Sequence, residues 1–506
     1  MNLVRESAIY RLLLTLWSLY RESALCDALQ TAGNWCSRQI DQSRVVAFLC
    51  KESILCRSWE SSLLCKFLTV AVNLPIRGLQ WLYRKLQSLM EGSFFAGLAF
   101  EMGRETAIAQ SWLILLLWVI PYQHWSNAYT LVGFVLLLGL FCLRGMHEPG
   151  AALDVASLGF YPVLFFVTVC ISALLSTYPG LSMRFLTYHA GAGLCLLVTV
   201  SAVRHLSDLK RLAAGATGAM AVASLYAVYQ RIQGVDVKSA YVDSSLNPDM
   251  PGRVFSFYDN PNSFAAFLIL LIPIGAALTL CSKRWLTRLL AGGATALGAL
   301  AVIMTYSRAC WVGFAVAAAV FIFLWKPRLI PLCVALCLLC VPFLPSSIWD
   351  RILSIFNFSD SSTSSRWALY EAALNAIRSS PLLGVGLGTA APQQYIAENA
   401  LYSGNHLYVH AHNIYLEVWL ETGLVGILAL LGGVFCNIRN AARQARHSTN
   451  SAARLITLGA ASALCGIMVA GLADYPWHYP RVMSVFWFVF AMAIAGVKIC
   501  RAEKNT

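Results

Sequence analysis

The sequence predicts an all-α integral membrane protein with about 12 transmembrane helices and a large extracytoplasmic loop carrying surface helices. Three observations predict it. Of 506 residues, 58% are hydrophobic, and the mean hydropathy is +0.64. Only 12% are charged, about half the share found in soluble domains. Apolar runs of about 20 residues, the length that crosses a hydrocarbon core, recur along the chain.

The first 105 residues stand apart. They carry a weak repeat, RESAIYRLLL, RESALCDALQ, KESILCRSWE and WESSLLCKFL. A charge, a serine and then apolar residues at helical spacing predict amphipathic helices lying on the inner membrane face. A soluble helical hairpin or a partner-docking arm fits the same pattern. The opening MNLVRESAIYRLLLTLW lacks the basic-then-apolar order and the small-residue cleavage site of a signal peptide.

Candidate spans follow, centred near residues 115, 136, 166, 194, 221, 271, 296, 317, 337, 427, 463 and 490. The first two are short and separated by YQHWSN, so a re-entrant hairpin also fits them. The fifth, LAAGATGAMAVASLYAVYQ, is rich in small residues that suit close helix packing. The expected divisions are 1–105 (cytoplasmic, amphipathic), 106–345 (spans one to nine), 346–412 (extracytoplasmic loop), 413–500 (spans ten to twelve) and 501–506 (cytoplasmic tail).

Charge orients these spans. With 346–411 outside, 28 of the 37 Lys and Arg fall on the cytoplasmic side and eight outside, Arg231 standing at a boundary. The inverse topology breaks the positive-inside rule at almost every short loop. Both termini are therefore expected in the cytoplasm, and the basic excess is assigned to topology and anionic membrane lipid rather than nucleic acid. Sixteen scattered cysteines, among them CVALCLLC, read as small apolar residues. In the long loop, SSRWALYEAALNAIRSS has the spacing of a surface helix. The following PLLGVGLG follows a helix rather than a strand, so it reads as a tight turn and not a nucleotide loop.

Polar clusters on the outer side need an explanation. MPGRVFSFYDNPNSFAAF supplies Arg253, Asp259, Asn260 and Asn262. TYSRACWVG supplies Arg308. HAHNIYLEVWLETGLVG supplies His410, His412, Asn413, Glu417 and Glu421, and ADYPWHYPR adds Asp474, His478 and Arg481. Each has a bland reading. Arginines snorkel to headgroups, and Asn-Pro-Asn starts a helix. Jointly they say more. Glu417 and Glu421 follow Asn413 at steps of four and share a helix face, and a carboxylate two turns into a span must face protein or a wet cavity. Two arginines favour a phosphate or diphosphate, and a histidine can take a proton near neutral pH. Together they suggest transfer of a lipid-diphosphate-linked group to a hydroxyl. HAH has no clear third ligand for zinc, and no metal or cofactor is expected.

These clusters resemble the O-antigen ligase superfamily of bacterial membrane glycosyltransferases, over roughly residues 110–500. The family's pattern of His, then Asn, Ser or Gln, nine residues, Gly, two residues, then Gly, Thr or Tyr is matched by His412, Asn413, IYLEVWLET, Gly423, LV and Gly426. GRVFSFYDNPNSFAAF is similar to the arginine-plus-NPN segment. TYSRACWVG is similar to the SRG segment, with Ala309 in place of glycine, and SSPLLGVGLG to the turn that opens the outer-loop tail. The resemblance implies a metal-independent enzyme of the bacterial cytoplasmic membrane. Its donor would be undecaprenyl-diphosphate-linked glycan and its acceptor a hydroxyl of a glycan, lipid or protein. It also implies His412 as base, Arg253 and Arg308 as diphosphate ligands, and Asn413, Glu417, Glu421, His410, Asn260, Asn262 and Asp474 as support. The N-terminal repeat departs from the family. A transporter or flippase for an anionic solute or lipid-linked glycan is the alternative, and a non-catalytic assembly protein a third.

Overall fold

A computed structural model describes residues 8–44, 47, 54–90, 92–148, 150–235, 252–356, 361–404 and 407–502. Parts of the first and third repeat units, of the long loop and of the C-terminal tail lie outside these residues. Among the described residues every regular element is a helix.

Nine described helices are long and apolar enough to cross a membrane, from Ala128–His147 to Pro480–Ala502. Each of the twelve expected centres falls on a helix, but three differ from a simple span. Thr106–Trp118 and Phe160–Leu174 hold 13 and 15 residues. At 1.5 Å per residue they rise only about 20 Å, short of the roughly 30 Å core. The stretch centred near 337 runs Pro327–Phe343 and then turns by 119° into Ser346–Leu353. Pro345 explains the bend, because proline disfavours a helical residue before it, and Leu344 is extended at φ −73, ψ 132. By length, nine spans or ten are present among the described residues.

Pro261–Cys281, Ser451–Ala470 and Pro480–Ala502 form the most deeply buried layer. Gly313 and Gly466 bring two backbones together. A Cβ on either would stand 2.5 Å from the other's carbonyl oxygen, an approach that only glycine allows. The small residues of the fifth expected span, Leu206–Gln233, are buried as that reading required, with Ala213, Ala216, Ala219, Ala223 and Ala227 all inside.

The N-terminal helices Ala8–Arg21, Ala24–Gln42, Ile54–Ser61, Leu63–Met90 and Phe94–Arg104 follow the repeat. Two of them, Ile54–Ser61 and Leu63–Met90, are tied to the bundle by side-chain hydrogen bonds. The Asn73 amide donates to Leu153 O at 3.0 Å and accepts from Leu153 N at 2.7 Å. Gln80 donates to Gly145 O and the Trp59 indole to Ala156 O. The exposed faces keep large apolar side chains, including Leu63, Phe67, Leu74 and Leu89.

Candidate functional site

The polar clusters gather at one end of the bundle. Asn413 starts the long helix Ile414–His447. Its Oδ1 accepts from Tyr415 N and Leu416 N at 2.9 and 3.1 Å, and its amide donates to Leu472 O. The cap satisfies donors that a helix start otherwise leaves open and fixes the helix to the 471–479 loop. His412, just before the cap, takes φ 47. Histidine is among the few non-glycine residues enriched in that left-handed region.

The two glutamates lie beneath this turn. Glu417 is fully buried, and its Oε2 accepts from Ala411 N at 2.7 Å and from the Tyr408 hydroxyl at 3.2 Å. Glu421 is 2% exposed, and its Oε1 accepts from the Tyr475 hydroxyl at 2.6 Å. The expected face holding Asn413, Glu417 and Glu421 is therefore present. It packs into protein and supports the loop from below, the first of the two surroundings open to a carboxylate at that depth.

Above it stand the histidines. The rings of His410 and His412 lie 4.0 Å apart, and those of His410 and His478 lie 4.7 Å apart. His412 N donates to His410 Nδ1 at 3.1 Å. Burial lowers the His410 pKa to about 2, and the neighbouring His412 and His478 act in the same direction. His410 is therefore a neutral acceptor. His412 is more open, with 36% of its side chain exposed, and its Nδ1 lies 3.4 Å from the Asp474 carboxylate. Burial opposes ionisation of Asp474. The hydrogen bond to His412 and the charges of His412 and Arg366 outweigh it and bring that carboxyl down to about 2.

Arg253 is 9% exposed. It donates to Thr305 O at 2.7 Å and to Asn262 Oδ1 at 2.5 Å. Asn260 caps Pro261–Cys281 by accepting from Asn262 N, so the Asn-Pro-Asn segment both starts the helix and holds the arginine. Arg308 opens Arg308–Trp325 and donates to Ser354 O at 2.8 Å. Cys310, the third residue of that helix, donates weakly to Asn262 O at 3.8 Å and so joins it to the Asn-Pro-Asn segment. Arg481 belongs to the framework. It is 3% exposed, donates to Phe257 O and Ile120 O, and lies under the Trp125 and Tyr258 rings.

The sequence reading missed three participants. Tyr408 and Tyr475 supply phenols that donate to the buried glutamates, Tyr408 to Glu417 Oε2 and Tyr475 to Glu421 Oε1. Arg366, on Ser361–Ser379, acts electrostatically on His410 and Asp474. Arg366 was visible as the first charge of the expected surface helix, which buries Ala372, Ala373, Ala376 and Ile377 against Tyr408, Ala411 and Leu420.

The turn PLLGVGLG joins the site where the long helix breaks. Gly423 has φ 71, ψ −176 within Ile414–His447. Into that break the turn sends Pro381 O, which accepts from Leu424 N at 2.9 Å, while Val385 N donates to Leu420 O at 2.9 Å. Gly384, Gly386 and Gly388 all have positive φ, as a tight turn requires. No group of three or more His, Cys, Asp and Glu among the described residues is arranged to hold a metal ion.

The fold and this end of it define a multi-pass α-helical membrane protein with a histidine–aspartate pair, buried arginines and a helix that starts polar. Residues 293–431 match the family described as O-Antigen ligase. That match includes Arg308, His412 and the kinked helix and leaves Arg253 and Asp474 outside. An 85-residue stretch is 34% identical to the exopolysaccharide production protein ExoQ of Rhizobium meliloti (strain 1021), covering 16% of this chain and 19% of that protein. The likeness to O-antigen ligases is thus one of this segment, and the chain matches only about a fifth of the length of the exopolysaccharide production protein.

Proposed function

We propose that this protein transfers a glycan from a lipid diphosphate, of the undecaprenyl type, onto an acceptor hydroxyl at the outer face of the bacterial cytoplasmic membrane, in surface polysaccharide synthesis. The observation that carries the reading is the contact between half-exposed His412 and buried Asp474, at the bundle end that also holds Arg253 and Arg308. With Nδ1–H directed at the carboxylate, Nε2 is the ring nitrogen left for a substrate. His412 takes the acceptor hydroxyl proton through Nε2. The hydroxyl oxygen bonds to the anomeric carbon, and the bond from that carbon to the diphosphate oxygen breaks. The electron pair leaves with the diphosphate, whose growing charge the arginines stabilise. A single displacement inverts the anomeric centre.

Glu417 and Glu421 take no proton in this scheme; they fix the loop that presents His412. Arg366 adds positive charge on the acceptor side. Residues 346–412 are assigned to the extracytoplasmic face and both termini to the cytoplasm, following the charge bias of the loops.

The test compares wild type with His412→Ala and Arg308→Lys in a strain lacking the gene, at matched membrane levels. Lipid-diphosphate-linked glycan and mature polysaccharide are quantified by gel and mass spectrometry. Transfer chemistry predicts accumulation of the lipid-linked glycan and loss of the mature product in both variants. If both variants match wild type, the assignment fails.

A further inference from the structure

The opposite end of the bundle carries a cavity of about 400 Å³ between Leu206–Gln233, Pro261–Cys281 and Trp285–Met304. Its volume falls in the range of small-ligand sites, about 300–1,000 Å³. It is remote from His412. Pro261–Cys281 has Asn260 and Asn262 at its site end and reaches the cavity with Leu278 and Cys281, 21 residues and about 30 Å away.

The chemistry of the cavity is divided. Its wall is apolar, formed by Ala214, Leu278 and Cys281, and its rim is basic, with Lys210, Lys283 and Arg284. The fourth cation, Arg211, is already bound to Glu105 at 2.8 Å and Asp208 at 3.5 Å. Lys283 and Arg284 are exposed, and Lys210 lines the cavity with them. Trp285 follows directly and is 75% exposed. An exposed tryptophan at the start of a span marks the level of the lipid headgroups.

A basic rim over an apolar wall, between spans and at headgroup depth, is complementary to one ligand class. We infer that this cavity binds an anionic glycerophospholipid, its headgroup phosphate held by Lys210, Lys283 and Arg284 and an acyl chain lying along Ala214 and Leu278. Phosphatidylcholine carries a compensating cation and binds less well. Inorganic phosphate lacks the chain and does not compete.

The test uses the full-length protein in detergent micelles, with phosphatidylglycerol binding read by native mass spectrometry. The variant Lys283→Gln with Arg284→Gln is compared with Lys326→Gln with Arg328→Gln, which removes two exposed charges from another loop at the same end. The inference predicts that the wild type prefers phosphatidylglycerol to phosphatidylcholine. It predicts a roughly tenfold or greater loss of binding in the first variant and little loss in the second. Lys283→Arg keeps the charge and retains binding, which separates a lost ligand from a lost fold. Equal losses in both double variants, equal binding of the two lipids, or displacement by millimolar inorganic phosphate would each overturn it. The outcome is independent of the transfer assay, because none of these residues is placed in the proposed catalytic group.

Discussion

Gly423 gives the sharpest test of how the site is built. Its φ 71, ψ −176 lies in a region that is essentially glycine-only. A Cβ there would stand 2.0 Å from Leu382 O, 2.2 Å from Leu382 C and 2.5 Å from Leu383 N. All three are backbone atoms, so no side-chain rotation relieves the clash. The dihedral alone costs about 1–3 kcal/mol, and displacing the 380–388 turn adds loss of the Pro381 O to Leu424 N hydrogen bond, about 1 kcal/mol. Gly423→Ala should therefore destabilise by about 2–4 kcal/mol. The matched control is Gly293, inside Trp285–Met304, where a Cβ meets nothing within 4 Å. Gly293→Ala should stabilise by about 0.5–1 kcal/mol, because alanine costs less backbone entropy in a helix. Chemical unfolding of both purified proteins in one detergent reads the two signs. A Gly423→Ala protein within about 0.5 kcal/mol of wild type, the scatter of a harmless surface change, would refute the wedge-and-kink account.

Other outcomes follow from the same geometry. Glu417→Ala leaves Ala411 N and the Tyr408 hydroxyl buried without their acceptor. It should cost about 1–3 kcal/mol per orphaned group, with Glu417→Gln recovering part of the loss in the same unfolding assay. Stability should fall on acidification. His410 is held near 2 when folded, by burial first, against an ordinary 6.5. The unfolded chain therefore binds the extra proton, and stability is lost progressively as pH drops below about 6.5. Asp474, depressed from 3.8 to about 2, contributes stability above about 4 that disappears as pH falls through 2. His410→Gln should flatten the dependence from about pH 6.5 down to about 2, measured as unfolding midpoints, and leave below pH 4 only the part that Asp474 contributes.

Much of this was legible in the sequence, and the limits have physical causes. Apolar runs locate helices because a bilayer core demands them, so all twelve expected centres lie on helices. Length decides whether a helix spans, and the ends are set by local punctuation. Gly159 and Pro345 do not change the hydropathy of their neighbours, yet they shorten one helix and bend another. Asn413, Asn260 and the triple-glycine turn were readable because capping and positive φ are local properties. The partners of Glu417 and Glu421 were not. Tyr408 lies nine residues away and Tyr475 fifty-four, and only the packing of the loops around Ala411 and Asp474 brings their hydroxyls to the carboxylates.

That packing also explains why the site needs so many polar residues below the surface. Presenting His412 half-exposed, next to a buried carboxylate, requires a left-handed backbone at His412 and a rigid helix start directly after it. Both would relax if the loop were free. Asn413 fixes the start from the side, Glu417 holds Ala411 N from beneath, and Glu421 ties the same helix through Tyr475 to the residue following Asp474. The histidine and its aspartate partner are thus positioned by two carboxylates on one helix face. The break at Gly423 keeps that face short, so the buried carboxyl groups stay within the first three turns while the rest of the helix remains apolar enough to cross the membrane.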